Sequence, residues 1–471
     1  MSDTNRVAIR YAREAAYTAP VPTLTAAGVQ GTNTLFNLRF AKESLEADKE
    51  TITSEEIRSD RMISNVIQVG QKAAGGFEAE YTMQDLDDLT AAALMADNGT
   101  SVIATCAIAN SGQTITAASG TPFAAIAATN PKHILVAGSG TAANNGFKTV
   151  IAITATVITL AAGSITADDA SPALTISVNY VTAIDNVTVS IAGQVVTATT
   201  GAFSSATQGA RFVRLANMAT PGNNGVKKVV SCTATVLTLA TGSLTGANTG
   251  NVCTVQCNYI RTGTTYVSHV FQKEFLDIPH YVIFTGMGVE SFDLKLDAKK
   301  QAFASFAFMG YKGQSRTATI NTLAAIAASS NIAINSASNI GTLTKDGSNS
   351  LNPVKAVNLK VNNNLRERPV IGDLGSMQHG VGASQITGQV DVYFNNKELL
   401  DAFLTHTAFA LEFKCTDASG NVVNVYLPSV QATKGAPMAG GLNQDVMQSL
   451  PFTAFYNSTA GYQLQMDRLL A

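Results

Sequence analysis

The side chains best able to do chemistry are scattered along this sequence. The five histidines, His133, His269, His280, His379 and His406, stand alone, none in a His-Glu-x-x-His run or beside a cysteine pair, so nothing resembles a metal-binding helix or a zinc knuckle. Of the five cysteines, Cys106, Cys232, Cys253, Cys257 and Cys415, only Cys253 and Cys257 are close, and their spacing puts both on one face of a strand. Glu78 and Glu80, and Asp168 and Asp169, are paired carboxylates. Acid–base work needs such a pair in a cleft, whereas in a β-rich chain they read more simply as solvated strand and loop residues. The stretch from Gly310 to Ser315 has neither the glycine spacing nor the Lys-Ser/Thr pair of a P-loop, and nucleophile-elbow and Rossmann patterns are missing. No enzyme is indicated, and no cofactor or metal is expected.

Composition explains what the chain builds instead. Its 471 residues exceed one ordinary domain; 46% are hydrophobic, only 14% are charged, Trp is absent, and there are 37 glycines. That is the make-up of a β-rich, turn-rich protein. Lys plus Arg number 31 against 33 Asp plus Glu, a net charge of −2, which is no footprint for gripping DNA or an anionic membrane. The first twenty residues lack the apolar region of a signal peptide, and no run approaches the length of a membrane span. Assembly in a bacterial cytoplasm, without a membrane partner, is expected.

The middle of the chain is duplicated. His133 to Val181 aligns without a gap onto Phe212 to Ile260, with about twenty identities, carried by NNGFKTV…TATVITL and NNGVKKV…TATVLTL. Each copy sets an Asn-Asn-Gly turn before β-branched alternation, predicting two small all-β modules. Where the second copy has Cys232, Cys253 and Cys257 the first has Ile153, Leu174 and Val178, so these cysteines are expected to pack rather than react.

The flanks repeat more faintly. Both run strand (Leu38 and Leu359 central), charged loop, Val-Gly, a strand opening at Gly76 or Gly388, then a helix. The first helix is expected over Gln84 to Leu94, with Asp85, Asp87 and Asp88 near its positive end; the second is expected after Asn395 as N-cap. The predicted layout is a first domain of residues 1–97 and 265–314, modules at 98–182 and 183–264, a polar linker at 315–352, and a last domain at 353–471.

The runs NRVAIRYARE, LRFAKESLEADKETITSEEIRSDR, GGFEAEYTMQDLDDLTAAAL and EFLDIPHYVIFTGMGVESFDLKLDAKKQAFASFAFMGYKG resemble the two-domain tail tube (major tail protein) family of long-tailed bacteriophages. The inserted repeats resemble small β-barrel modules attached to phage virion proteins. The resemblance implies a mainly β fold of two tube domains, each a β-sandwich or half-barrel plus a helix, in a structural subunit of the virion tail. It implies trimeric, pseudo-sixfold rings stacked into a tube, with the tape measure and tail tip or terminator proteins as partners and DNA only in transit. A virion decoration protein or adhesin, holding host-surface glycans through its tandem modules, is the other class considered.

Two sets of residues gain meaning in a tube. Alternation in GFEAEYT, FDLKLDA and QVDVYF separates Glu78, Glu80, Asp293, Lys295, Asp297 and Asp391 from apolar neighbours, so these face water, either outside the ring or in its channel. A net negative channel, with Lys295 the one cation in this set, would let DNA slide without sticking. The loop carrying Glu46, Asp48, Lys49, Glu50, Glu55, Glu56, Arg58, Asp60 and Arg61 is longer than its counterpart after Leu359, and is expected to touch the neighbouring ring. The inserted modules are expected to project outward and to be dispensable for the tube.

Overall fold

The computed structural model describes residues 6–14, 35–82, 85–96, 100–129, 131, 133–170, 173–178, 181–246, 248–320, 325–329, 331–334, 340–347, 353–417, 419–439 and 441–469. The first domain begins with β1 (Val7–Arg13), β2 (Phe36–Leu38), β3 (Lys42–Glu43), β4 (Glu46–Thr53), β5 (Val66–Glu80) and helix α1 (Asp87–Ala93). An insert comes next: β6 (Thr100–Ala109), β7 (Thr114–Ala117), α2 (Ala124–Thr129), β8 (His133–Ala137), β9 (Gly146–Ile153), β10 (Val157–Leu160) and β11 (Ala173–Val178). Its second half holds β12 (Val181–Ala192), β13 (Val195–Thr200), α3 (Ser205–Gly209), β14 (Phe212–Ala216), β15 (Gly225–Cys232), β16 (Val236–Leu239) and β17 (Asn248–Arg261). The first domain resumes with β18 (Ser268–Phe275), β19 (His280–Asp297), β20 (Phe303–Gly310) and β21 (Lys312–Arg316). The second contains β22 (Ile340–Lys345), β23 (Val354–Asn362), β24 (Gln385–Tyr393), α4 (Glu398–Leu404), β25 (Phe409–Thr416), β26 (Val422–Ala432), β27 (Pro437–Ala439), β28 (Val446–Ala454) and β29 (Gln465–Leu469).

The sequence repeat becomes two barrels of one topology. The first closes in the order β10-β7-β6-β11-β8-β9, and the pairings of β12 to β17 trace the same ring. In each, the glycine of Asn-Asn-Gly has φ +101° (Gly146, Gly225), a conformation that a Cβ disfavours. The first asparagine clasps the barrel shut: Asn144 Oδ1 accepts from Thr166 N at 2.9 Å and Asn223 Oδ1 from Thr245 N at 2.8 Å. Cys253 and Cys257 are buried in the second core, with Cys232 packed against it. Burial pushes the Cys232 and Cys253 thiols up to about 11, away from reactivity.

Several expectations are corrected. The strand that matches β23 is not the one around Leu38, which pairs with β1, but β3 and β4, where Leu45 is buried as Leu359 is. The glycine equivalent to Gly388 is Gly75 rather than Gly76. The charged stretch is loop only from Ser54 on: Glu46–Thr53 is β4, paired with β5 along its whole length, so the extra length of this flank is a β-hairpin arm with a loop at its tip. The stretch 315–352 is not a free linker, because β22 within it pairs with β25 and Ile326 and Ile334 are buried. Helix α4 starts at Glu398, whose N–H is taken by Asn396 Oδ1 at 3.1 Å, so Asn395 is not its cap. Asp87 and Asp88 serve as anchors more than as dipole partners: Asp87 pairs with Arg468 on β29, and Asp88 with Arg13 and with His269 at 3.0 Å.

The barrels are docked, not free. Leu135 and Ala137 of the first bury against Ile326, with Phe36 packed alongside. The second continues the sheet of the second domain, since Tyr259 to Arg261 pair with Asp467 to Gln465 on β29. Around that seam the buried Glu412 meets Lys228, and Arg211 at 3.6 Å, while Arg214 Nη2 donates to Gly420 O at 2.7 Å. Arg211 also lies 3.9 Å over the Tyr426 ring. The expectation that the whole insert is dispensable therefore conflicts with the packing: its removal would bare an edge of β29 and strand Glu412. Replacing Glu412 by Ala leaves Arg211 and Lys228 partly exposed without their acid, so a loss of about 2 kcal/mol is expected, reduced from the fully buried case by their access to water. Thermal unfolding would measure the loss, and hydrogen exchange would show new openness at residues 211–228 with β19 unaffected.

Candidate functional site

Strand β19 is shared between two sheets. Its first half pairs with β18 and β21, and its second half with β20 and with β23 of the other domain. The last pairing joins the domains edge to edge, from Ser291 opposite Asn362 to Asp297 opposite Ala356. One sheet then runs β3/β4-β5-β20-β19-β23-β24-β28-β27.

This sheet is a four-stranded unit repeated head to tail, with β3/β4, β5, β20 and β19 answered by β23, β24, β28 and the end of β26 together with β27. The match holds residue by residue. Gly288 faces Met309 and Val289 faces Phe308 before a bulge; in the second unit Gln431 faces Thr453 and Ala432 faces Phe452. The neighbouring pairs β18–β19 and β25–β26 also share a bulge, after His269 and after Phe409.

Directly opposed residues lie on one face of a sheet, so the register sorts the side chains. One face carries Phe77, Phe306, Phe292, Val361, Ile386 and Ala454 in a single row across six strands. These are buried, with Phe292 and Phe306 ring centres 5.0 Å apart. The opposite face carries the row Lys42, Glu78, Ser305, Asp293, Lys360, Thr387 and Thr453. Glu80, Lys295, Asp297 and Asp391 fall on that same face by their own partners. All six residues singled out by alternation thus share one polar face that spans both domains.

Lysines outside that set share the face: Lys42 lies 3.6 Å from Glu78, Lys360 stands opposite Asp293, and Lys300, at the turn, is 3.0 Å from Asp297. Lys295 itself is 3.9 Å from Asp293. Burial raises the Asp293 carboxyl, and Lys295 and Lys360 pull it back down. Lysines therefore stand beside Glu78, Asp293 and Asp297, and the face as a whole stays net acidic. Lys42 and Lys360 were visible in sequence, but only the register brings them to these acids.

The second predicted set is split by the arm. Glu46, Asp48 and Glu50 alternate onto the polar face beside Lys72, which meets Glu50 at 3.2 Å, while Lys49 takes the other side. Glu55, Glu56, Arg58, Asp60 and Arg61 lie at or near the tip, where Arg58 holds Asp60 at 2.6 Å. Charge reasoning missed what is most unusual here, the exposed apolar side chains between them: Ile57 is 99% exposed and Met62 and Ile63 69% each. Residues 363–384 of the second domain occupy the equivalent place, and there Ile371 is fully exposed. The two segments touch, Gln71 N donating to Leu374 O at 2.7 Å.

A polar sheet face ending in open strand edges and apolar arms has the features of a structural protein that contacts other chains through its edges. A family profile for phage tail tube proteins matches residues 4–248 and 229–454, and the chain belongs to that family. Comparison with curated proteins finds no match. The chain is a structural component of a phage tail, and among the described residues no helix is long and apolar enough to cross a membrane.

Because Phe292 sits wholly buried at the junction of β20, β19 and β23, Phe292→Ala should cost about 3–5 kcal/mol. Chemical denaturation would give that figure, with the pairing of β19 to β23 opening first in hydrogen exchange.

Proposed function

We propose that this chain forms the tail tube as trimeric rings with pseudo-sixfold symmetry, stacked around a channel that DNA crosses during ejection. The observation that carries the reading is the four-stranded unit repeated head to tail. A heterologous contact of this kind generates a closed ring when its rotation closes. The row from Lys42 crosses four strand steps to Lys360, which is the counterpart of Glu46, four residues further along. Four rises of about 3.3 Å over four spacings of about 4.8 Å tilt the strands by about 35°, within the range of closed barrels. Six such units, three chains, would enclose a barrel about 45 Å across, with room for a duplex.

In that ring the polar face of Glu78, Glu80, Asp293, Lys295, Asp297 and Asp391 lines the channel, since the opposite face is filled by the cores of both domains. Lysines held by carboxylates offer phosphates no release of counterions, so DNA slides rather than binds. The arm, with Glu55, Glu56, Arg58, Asp60 and Arg61 at or near its tip, reaches the adjacent ring, its exposed Ile57, Met62 and Ile63 being the kind of patch that marks a protein contact. Tape measure and tail tip or terminator proteins complete the assembly, which takes place in the host cytoplasm before incorporation into the virion tail.

Negative-stain microscopy of the purified protein should show tubes of stacked rings. Removing residues 54–65 should leave rings that do not stack; discrete single chains from the intact protein would defeat the reading. Replacing Glu78, Glu80 and Asp391 together by Lys should leave tubes intact and slow DNA release from particles, whereas unchanged release kinetics would put this face outside the channel.

A further inference from the structure

From the seam inside the chain we infer the register of the seam between chains: β27 of one copy pairs antiparallel with β3/β4 of the next, Met438 opposite Ser44 and Lys434 opposite Asp48. This deepens the ring proposed above and rests on it. Among the described residues each of these strands is paired on one side only, β27 with β28 and β3/β4 with β5. They are the two ends of the repeated sheet, and the internal seam displays how such ends join: β19, the fourth strand of the first unit, pairs with β23, the first strand of the second.

The equivalences fix the partners. Ser305 faces Asp293 and Glu78 in the first unit, and Ser449 faces Asp391 in the second. Pro437 opposite Gln448 then stands where Leu294 stands opposite Ala304, and Met438 stands where Lys295 stands. On the other edge Leu45 takes the place of Leu359 and Ser44 that of Asn358. Since Leu294 faces Leu359 and Lys295 faces Asn358, Pro437 faces Leu45 and Met438 faces Ser44 of the next copy. Four residues before Met438, Lys434 meets Asp48, an opposite-charge cross-strand pair that parallels Asp293 opposite Lys360 in the internal seam.

The free edges fit this use. Ser44 directs its N–H to Gly76 on β5, so the backbone groups of Glu43 and Leu45 point to the open side. Pro437 has no N–H to give and meets Leu45 with its carbonyl alone; in the single chain the Leu45 N–H is held by Glu43 Oε2 at 3.0 Å and must turn from that carboxylate to pair, and both features keep the lone subunit from pairing indiscriminately. Met438 is 72% exposed, an apolar side chain with no cover in the single chain.

Ser44 and Met438 form a pair without mutual backbone hydrogen bonds, the closer kind, with Cα atoms about 4.5 Å apart and within disulfide reach. The variant Ser44→Cys with Met438→Cys, assembled and oxidised, should run on non-reducing gels as covalent dimers and trimers with nothing larger. Made in a Cys232→Ser background, because Cys232 is only partly buried whereas Cys106, Cys253, Cys257 and Cys415 are buried, either single variant should stay monomeric. Ser44→Cys with Lys434→Cys, displaced by about 13 Å along the strand, should not link. Rings or tubes that fail to link, or that link only in the displaced pair, would overturn the register while leaving the tube reading intact; absence of rings in the unmodified protein would instead defeat the tube reading. A second readout is independent of oxidation: Lys434→Glu should weaken ring formation at least tenfold in concentration dependence, and adding Asp48→Lys should restore it. No rescue by the double variant would count against the pairing.

Discussion

Everything in this molecule depends on the backbone pairing of β19 with β23. Eighteen residues long, β19 is bonded on both sides along most of its length, to β18 and β21 in one half and to β20 and β23 in the other. The hydrogen bonds between β19 and β23 turn two domains into one sheet, and because they fix register they also fix which side chains share a face. A slip of one residue there would bring Phe292 and Leu294 to the polar side and put Asp293 and Lys295 into the core.

The same repeat logic treats the inserted barrels differently. One topology and one clasping asparagine serve both, yet their docking chemistry has diverged. The first barrel offers Leu135, the second has Arg214 in that place; the first has Thr149 where the second has Lys228. Apolar contact suits the neighbourhood of Ile326, whereas the second barrel must meet Glu412 and Asp467, both buried. Burial pushes the Asp467 carboxyl up to about 6, against hydrogen bonds from Asn424 and Gln465 that lower it. A charged seam of this kind costs desolvation, which the pairing of Glu412 with Arg211 and Lys228 offsets.

Much of this could be read from residue order. Alternation in GFEAEYT, FDLKLDA and QVDVYF separated core from polar positions correctly, because strand period two is a local property. The duplication disclosed two like modules, and the runs that resemble tail tube proteins pointed to a structural protein. Errors came where identity is low and the signal is non-local. In sequence Leu38, rather than Leu45, reads as the match of Leu359, since both sit in apolar stretches and only cross-strand partners tell them apart. In sequence the arm reads as a loop because β4, exposed at every position, has no hydrophobic alternation to announce a strand.

By itself, then, the sequence determined the β class, the repeated modules, the polar and apolar sides of each strand and the family resemblance, all of which rest on local periodicity and matched residues. The tertiary structure alone decided that Glu78, Asp293 and Asp391 lie on one continuous face, that Lys42 and Lys360 stand among them, and that the second barrel is bonded to β29. Those facts depend on which distant strands exchange hydrogen bonds and in what register. Pairing of that kind is chosen by the packing of whole layers, and no stretch of one strand records its partner.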